Sequence, residues 1–175
     1  LVTAWPSFEA PRDTAKKIGT PVREVALDGK LRIDIAKMVE ASKGAGLVFF
    51  CNPNNPTGTA YNYATVEKFV RDVKAASPDT KILLDEAYRE FASGPDAPDG
   101  LRFVREGFPV LCLRTFSKAY GLAGLRVGYA LSHPAGKLVR IIVHAVFRRR
   151  HTHTPQHLDG NLACLTLRDP PMQPD

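Results

Sequence analysis

Cysteine is scarce in this chain. Cys51, Cys112 and Cys164 lie far apart, and no Cys-x-x-Cys pair occurs, which argues against a zinc site or a disulfide framework. The three are read as buried thiols. No stretch approaches about 18 uninterrupted apolar residues, and the first ten residues carry Glu9 and no basic n-region, so neither a membrane span nor a signal peptide is visible. The chain reads as cytoplasmic. An initiating Met is missing, and Leu1 stands just before the run Trp5-Pro-Ser-Phe8, the pattern of a fragment that starts in the middle of something longer. Fixed-period repeats and low-complexity linkers are also missing over residues 1–136. What remains is 175 residues, 44% hydrophobic and 24% charged, enough for roughly one domain with a packed core. A mainly disordered or collagen-like chain is excluded.

The net charge of +6 raises the question of nucleic acid, because a basic surface attracts phosphate and releases counterions. The excess is local. Residues 1–136 hold 18 Lys and Arg against 15 Asp and Glu, whereas residues 137–175 hold 6 against 3. From Lys137 to Leu158 there are five basic residues, four of the five histidines and no carboxylate. This composition shift marks a boundary. Arg148-Arg-Arg150 with His151, His153 and His157 is read as solvated charge, because the histidines lack a second shell of carboxylates. Neither a nucleic-acid site nor a metal site is expected there.

Over the first 136 residues short apolar runs alternate with helical patterns, which predicts β-α units and a mostly parallel sheet. Pro21 to Ala26 reads as a strand, and Ile33 to Glu40 has near-helical apolar spacing. Leu47-Val-Phe-Phe-Cys51 lies between Gly46 and an Asn/Pro cluster, as a central parallel strand should. A loop covers Asn52 to Ala60. The stripe Val66, Phe69, Val70 and Val73 makes Asn62 to Ala76 an amphipathic helix ended near Pro78. Lys81-Ile-Leu-Leu-Asp85, Val110-Leu-Cys-Leu-Arg114 and Arg126 to Leu131 are further strands. Asn55, Asp85 and Thr115-Phe-Ser-Lys118 each fall where a strand finishes, and ligands of open α/β sheets bind at carboxyl ends of strands.

Three segments carry candidate chemistry. Cys51-Asn-Pro-Asn-Asn-Pro-Thr-Gly58 is a loop stiffened by two prolines, with amides able to face a ligand; alone it is equally an Asx/Pro turn. Asp85-Glu-Ala-Tyr88 puts a carboxylate at the end of an apolar strand, where an unpaired charge is costly and a cationic partner is demanded. Equally, Asp85 could cap a following helix, with Tyr88 as a packing residue. Thr115-Phe-Ser-Lys-Ala-Tyr-Gly-Leu-Ala-Gly-Leu-Arg-Val-Gly-Tyr129 joins an amine nucleophile to an anion site. Burial and nearby cations would keep such a lysine neutral, ready to attack a carbonyl. A surface lysine in a glycine loop would explain none of its neighbours.

These three motifs, in this order, resemble the large domain of class I/II aminotransferases that use pyridoxal 5′-phosphate (PLP), and within them histidinol-phosphate aminotransferase most. The resemblance covers about residues 5–140. It implies a three-layer α/β sandwich with a mostly parallel sheet, part of the large domain of a fold type I PLP enzyme. It implies that Lys118 carries the cofactor as a Schiff base and moves the proton at the substrate α-carbon, and that Asp85 pairs with the pyridinium nitrogen. By the same resemblance Tyr88 and Asn55 hydrogen-bond the phenolic oxygen. Ser117 and Arg126, with Thr115, hold the phosphate, and Phe8 stacks on the ring. The reaction implied is transfer of an amino group between an L-amino acid, here L-histidinol phosphate, and a 2-oxo acid such as 2-oxoglutarate, a step of histidine biosynthesis. A homodimer is expected of the full-length family.

The departures from the family set further expectations. A complete enzyme is about twice this length and has an N-terminal arm, a tyrosine reaching the partner's cofactor, and a small domain whose arginine grips the substrate carboxylate. None has a counterpart here. Weak or no turnover is therefore expected of the chain alone. The expected organisation is a partial PLP-binding domain over 1–147 and an aberrant, poorly ordered tail over 148–175. Codons permissible for Val143 to Arg150, read one base later, encode the family-like Tyr-Met-Pro-Tyr-Ser-Val-Ala, so the tail fits out-of-frame translation. The rival readings are an amino-acid-phosphate decarboxylase, another class I/II aminotransferase, or a catalytically dead product whose basic tail attracts nucleic acid.

Overall fold

The computed structural model describes residues 1–133 and the backbone of two short strands, Ile141–Val143 and Ala163–Leu165. In chain order, β1 (Val2–Trp5), α1 (Ala10–Lys17), β2 (Arg23–Ala26), α2 (Ile35–Ser42), β3 (Leu47–Cys51), α3 (Tyr63–Ala76), β4 (Lys81–Asp85), α4 (Gly100–Arg105), β5 (Val110–Thr115) and β6 (Gly128–Leu131) build the domain. The six strands form one sheet in the order β2-β1-β3-β4-β5-β6. All neighbours are parallel except β5 and β6, which run antiparallel. The α/β sheet expected from the alternating pattern is therefore present. β7 (Ile141–Val143) and β8 (Ala163–Leu165) pair antiparallel as a separate ribbon. The expected boundary near residue 147 and the remainder of the 148–175 tail lie outside the described residues.

Strand alternation divides the apolar residues between two faces. Val2, Ala4, Val48, Phe50, Ile82, Leu84 and Val110 belong to the main core with Met38 of α2, the stripe Val66, Phe69, Val70 and Val73 of α3, and Phe103 of α4. Phe50 stacks on Phe69 with ring centroids 4.5 Å apart. The other face carries Thr3, Trp5, Phe49, Cys51 and Asp85. Here α1 is laid down by the Arg12 guanidinium, which sits 3.5 Å from the centroid of the Trp5 ring. Helix, sheet and helix thus form the three expected layers.

Local chemistry sets the helix starts. Asp34 accepts from the Lys37 amide at 3.1 Å and Asn62 from the Thr65 amide at 3.0 Å, each satisfying a donor that the first turn leaves free. The strand read from Pro21 begins at Arg23, and the helix read over 33–40 runs over Ile35–Ser42, because Asp34 is its cap. β1, α1 and α4 were not among the elements legible from periodicity.

Candidate active site

A cleft of about 460 Å³ opens at the carboxyl ends of β3, β4 and β5, closed on one side by β6. All eight residues singled out from sequence line it: Phe8, Asn55, Asp85, Tyr88, Thr115, Ser117, Lys118 and Arg126. Asp85 and Thr115 are the last residues of β4 and β5, and the other six lie in the segments that follow β1, β3, β4 and β5. The parallel register explains the meeting, since Cys51 pairs with Asp85 and Asp85 with Leu113, so β3 and β4 end at one level and β5 two residues beyond it.

Asp85 is the buried pole of the site, 7% exposed. Its Oδ1 accepts from the Ala87 amide at 3.0 Å, and among the described residues no cation lies within ion-pair distance of it. Burial pushes its carboxyl above the ordinary range, and the neighbouring Glu86 charge adds to this; the Ala87 hydrogen bond and the Lys118 charge pull the other way. Cys51, on the adjacent strand, donates from Sγ to the Pro53 carbonyl oxygen. Burial, helped by the Asp85 charge, pushes that thiol up to about 12.

The opposite pole is open. Lys118 and Arg126 are exposed, which corrects the buried setting that the lysine's neighbours suggest: among the described residues too little packs over the 118–126 turn. Lys118 Nζ lies 5.1 Å from the centre of the Tyr88 ring. The segment itself is tightly wound. Thr115 Oγ1 accepts from the Ser117 amide at 3.0 Å and donates to the Val127 carbonyl at 3.3 Å, while the Gly121 amide returns to the Lys118 carbonyl at 2.9 Å. Arg126 adopts a left-handed conformation, φ 55°, and donates to the Ala123 carbonyl at 3.0 Å. Gly128 permits the return of β6, because a Cβ there would stand 3.0 Å from the Arg114 carbonyl oxygen.

Behind the cleft lies a charged cluster that sequence reasoning missed. Glu86 is 1% exposed and accepts from the Gly100 amide at 2.6 Å, from Cys112 Sγ at 3.2 Å, and from Arg114 Nε and Nη2 at 3.0 and 2.8 Å. Arg114 also reaches Asp99 at 2.7 Å, and Asp99 caps α4 through the Leu101 amide. Burial raises the Glu86 carboxyl against the pull of Arg114. One signal was available: Cys112 and Arg114 alternate on β5 and so share a face. Their partner on the Asp-Glu pair was not readable.

The pieces fit a PLP-type site. Asp85 offers a buried carboxylate without a cationic partner among the described residues, which fits a protonated pyridine nitrogen, and the Ser117 hydroxyl and the Arg126 guanidinium fit a phosphate, to which Thr115 would add a donor only by releasing the Val127 carbonyl. The chain belongs to the aminotransferase class I and II family, whose model matches residues 2–167 and whose cofactor is PLP. That match runs past residue 140, where the resemblance read from sequence ends. The chain is 47% identical over 135 residues to an aromatic amino acid aminotransferase of Streptomyces avermitilis, covering 76% of this chain and 36% of the relative. It is 39% identical over 135 residues to a histidinol-phosphate aminotransferase of Bacillus velezensis, covering 77% and 37%. Among solved structures, histidinol-phosphate aminotransferase from Sinorhizobium meliloti in complex with pyridoxal-5′-phosphate superposes with TM-score 0.67 at 33% identity, over 78% of this chain and 36% of that one. The chain thus spans little more than a third of the length of these relatives. No helix among the described residues is long and apolar enough to cross a membrane.

Proposed function

We propose that this chain contributes the cofactor half of an aminotransferase site that moves an amino group from an L-amino compound with a planar aromatic side chain to a 2-oxo acid such as 2-oxoglutarate. The observation that carries the reading is the convergence of Asp85, Asn55, Tyr88 and Lys118 on one cleft although they are dozens of residues apart. When bound, PLP supplies an electron sink for the charge left on removal of the substrate α-proton. Asp85 keeps the ring nitrogen protonated, its burial making it a strong partner for that one proton. Asn55 and Tyr88 hydrogen-bond the phenolic oxygen, and Phe8 covers one face of the ring. Ser117, Thr115 and Arg126 hold the phosphate. Lys118 would hold the cofactor covalently, and its Nζ would take up and hand on the substrate α-proton.

The breadth of the donor class follows from the relatives. Those at 39% and 47% identity bear the names histidinol-phosphate and aromatic amino acid aminotransferase, and imidazole and phenyl rings are both planar. The larger identity favours the aromatic amino acid over L-histidinol phosphate, the donor expected from the motifs. A homodimer and a cytoplasmic setting belong to the same proposal.

The test is to incubate the chain with PLP, reduce with borohydride and map the labelled peptide. Label on Lys118, abolished in Lys118→Ala, is the expected result; label spread over other lysines, unchanged by that substitution, would overturn the assignment. L-phenylalanine and L-histidinol phosphate, added separately to the loaded chain, then rank the two donors by the rate at which the visible band is lost.

A further inference from the structure

Two loops leave neighbouring parallel strands at the cleft. Residues 6–9 follow β1 and carry Phe8; residues 52–62 follow β3 and carry Asn55. Between them lies a closed polar cluster. Ser7 Oγ donates to Asn54 Oδ1 at 2.7 Å, and Asn54 Nδ2 donates to the Pro6 carbonyl at 3.3 Å and to Thr57 Oγ1 at 2.9 Å. Asn54 and Ser7 are 2% and 4% exposed. The main chain of Asn54 is also committed, its amide to the Thr59 carbonyl at 2.9 Å and its carbonyl to the Gly58 amide at 2.8 Å.

The chemistry leaves one side chain suited to this place. The Pro6 carbonyl can only accept, so it must face the NH2 end of the amide, and the carboxamide oxygen is then left for Ser7. An aspartate would set an acceptor against the Pro6 oxygen and bury a charge among groups that do not neutralise it. An alanine would strand the buried Ser7 hydroxyl without its acceptor. The amide is therefore a joint between two loops, and each loop presents its cleft residue next to the joint: Phe8 follows Ser7, and Asn55 follows Asn54.

We infer that Asn54 is a positioning residue, a clasp that with Ser7 fixes the separation of Phe8 and Asn55 across the cleft and thereby sets the affinity and the ionisation of the cofactor held between them. The inference rests on the PLP reading given above. Asn54 does not line the main cleft and acts only through its neighbours, so its removal should loosen both loops together.

The experiment compares the full chain with Asn54→Ala, Ser7→Ala, the double variant and Asn55→Ala. In Asn54→Ala the Kd for PLP should rise about tenfold, the scale of one lost hydrogen bond. The pH midpoint of the bound cofactor's visible band should move in the same direction as in Asn55→Ala. The double variant should lose less than the two single losses combined, because both remove the same contact. In the cofactor-free chain the amides of residues 7–9 should exchange faster in both single variants. A lowered Tm with the parent's Kd and band midpoint would overturn the inference, since a merely structural residue would behave so. If Asn54→Ala does not fold, Ser7→Ala removes a single hydroxyl and carries the same comparison. If the parent itself takes up no PLP at Lys118, the proposed function falls, and exchange at residues 7–9 then decides the clasp separately: unchanged exchange overturns it.

Discussion

Asp85 and Glu86 are adjacent in the chain and occupy opposite electrostatic settings. Strand geometry continues one residue past Asp85, with the Glu86 amide donating to the Leu113 carbonyl at 2.9 Å, so alternation sends one carboxylate to the cleft and the other to the α4 side. Glu86 is met there by an amide, a thiol and a guanidinium. Among the described residues Asp85 accepts a single amide hydrogen bond. A buried carboxylate left so poorly satisfied weakens the fold where it serves a site.

That relationship predicts the sign of a substitution. Burial raises the folded-state pKa of Asp85 above its ordinary 3.8, so the stability linked to its proton is fully present below 3.8 and is lost as pH rises through the folded value. Asp85→Asn should therefore raise Tm of the cofactor-free chain at pH 7, and the gain should shrink as pH falls toward 3.8. PLP should stabilise the parent and fail to stabilise the variant to the same degree. Thermal melts at several pH values check both.

Arg114→Ala should destabilise severely. Arg114 and Glu86 have side chains 9% and 0% exposed, and removing one member of a buried pair typically costs about 3–5 kcal/mol. Glu86→Gln keeps an acceptor for part of the cluster and should cost less. Urea midpoints with unchanged m-values would check the order.

Gly100→Ala tests packing against helix propensity. Alanine in a first helical turn would ordinarily favour the helix, but a Cβ here would lie 2.8 Å from both Cys112 Sγ and Leu84 Cδ2 and 3.0 Å from Glu86 Oε1. Overpacking should win, at about 1–3 kcal/mol. Gly124→Ala meets nothing within 4 Å and should stay within about 0.5 kcal/mol. Denaturation curves of the two variants give the comparison.

Cys51 and Cys112 should resist alkylation in the folded chain. Both are buried, and burial raises both thiols, Cys51 to about 12, so at pH 8 almost no thiolate exists to react. Peptide-resolved iodoacetamide labelling should find both unmodified in buffer and both modified in denaturant.

Periodicity and punctuation made much of this protein legible without coordinates. β3 and β4 fall on the residues read as strands, Leu47–Cys51 and Lys81–Asp85, because a short apolar run bounded by Gly, Asn or Pro has few other uses. The stripe of α3 and its Asn62 cap were equally local signals. Part of the candidate site was visible for the same reason: Asn55, Asp85 and Thr115 to Lys118 stand at strand ends, and a parallel sheet brings strand ends together, whereas Phe8 came only with the resemblance to class I/II aminotransferases. α4 was not legible, being six residues long, too short to show a helical period, and β1 went unread. The Glu86, Arg114 and Asp99 cluster and the Ser7 to Asn54 clasp were decided by tertiary structure alone. Their partners are 28, 15 and 47 residues apart, and a charge or an amide in a sequence announces its need for a partner without naming it. Which partner arrives is set by the order of the strands and the register between them, a property of the whole sheet rather than of any segment in it.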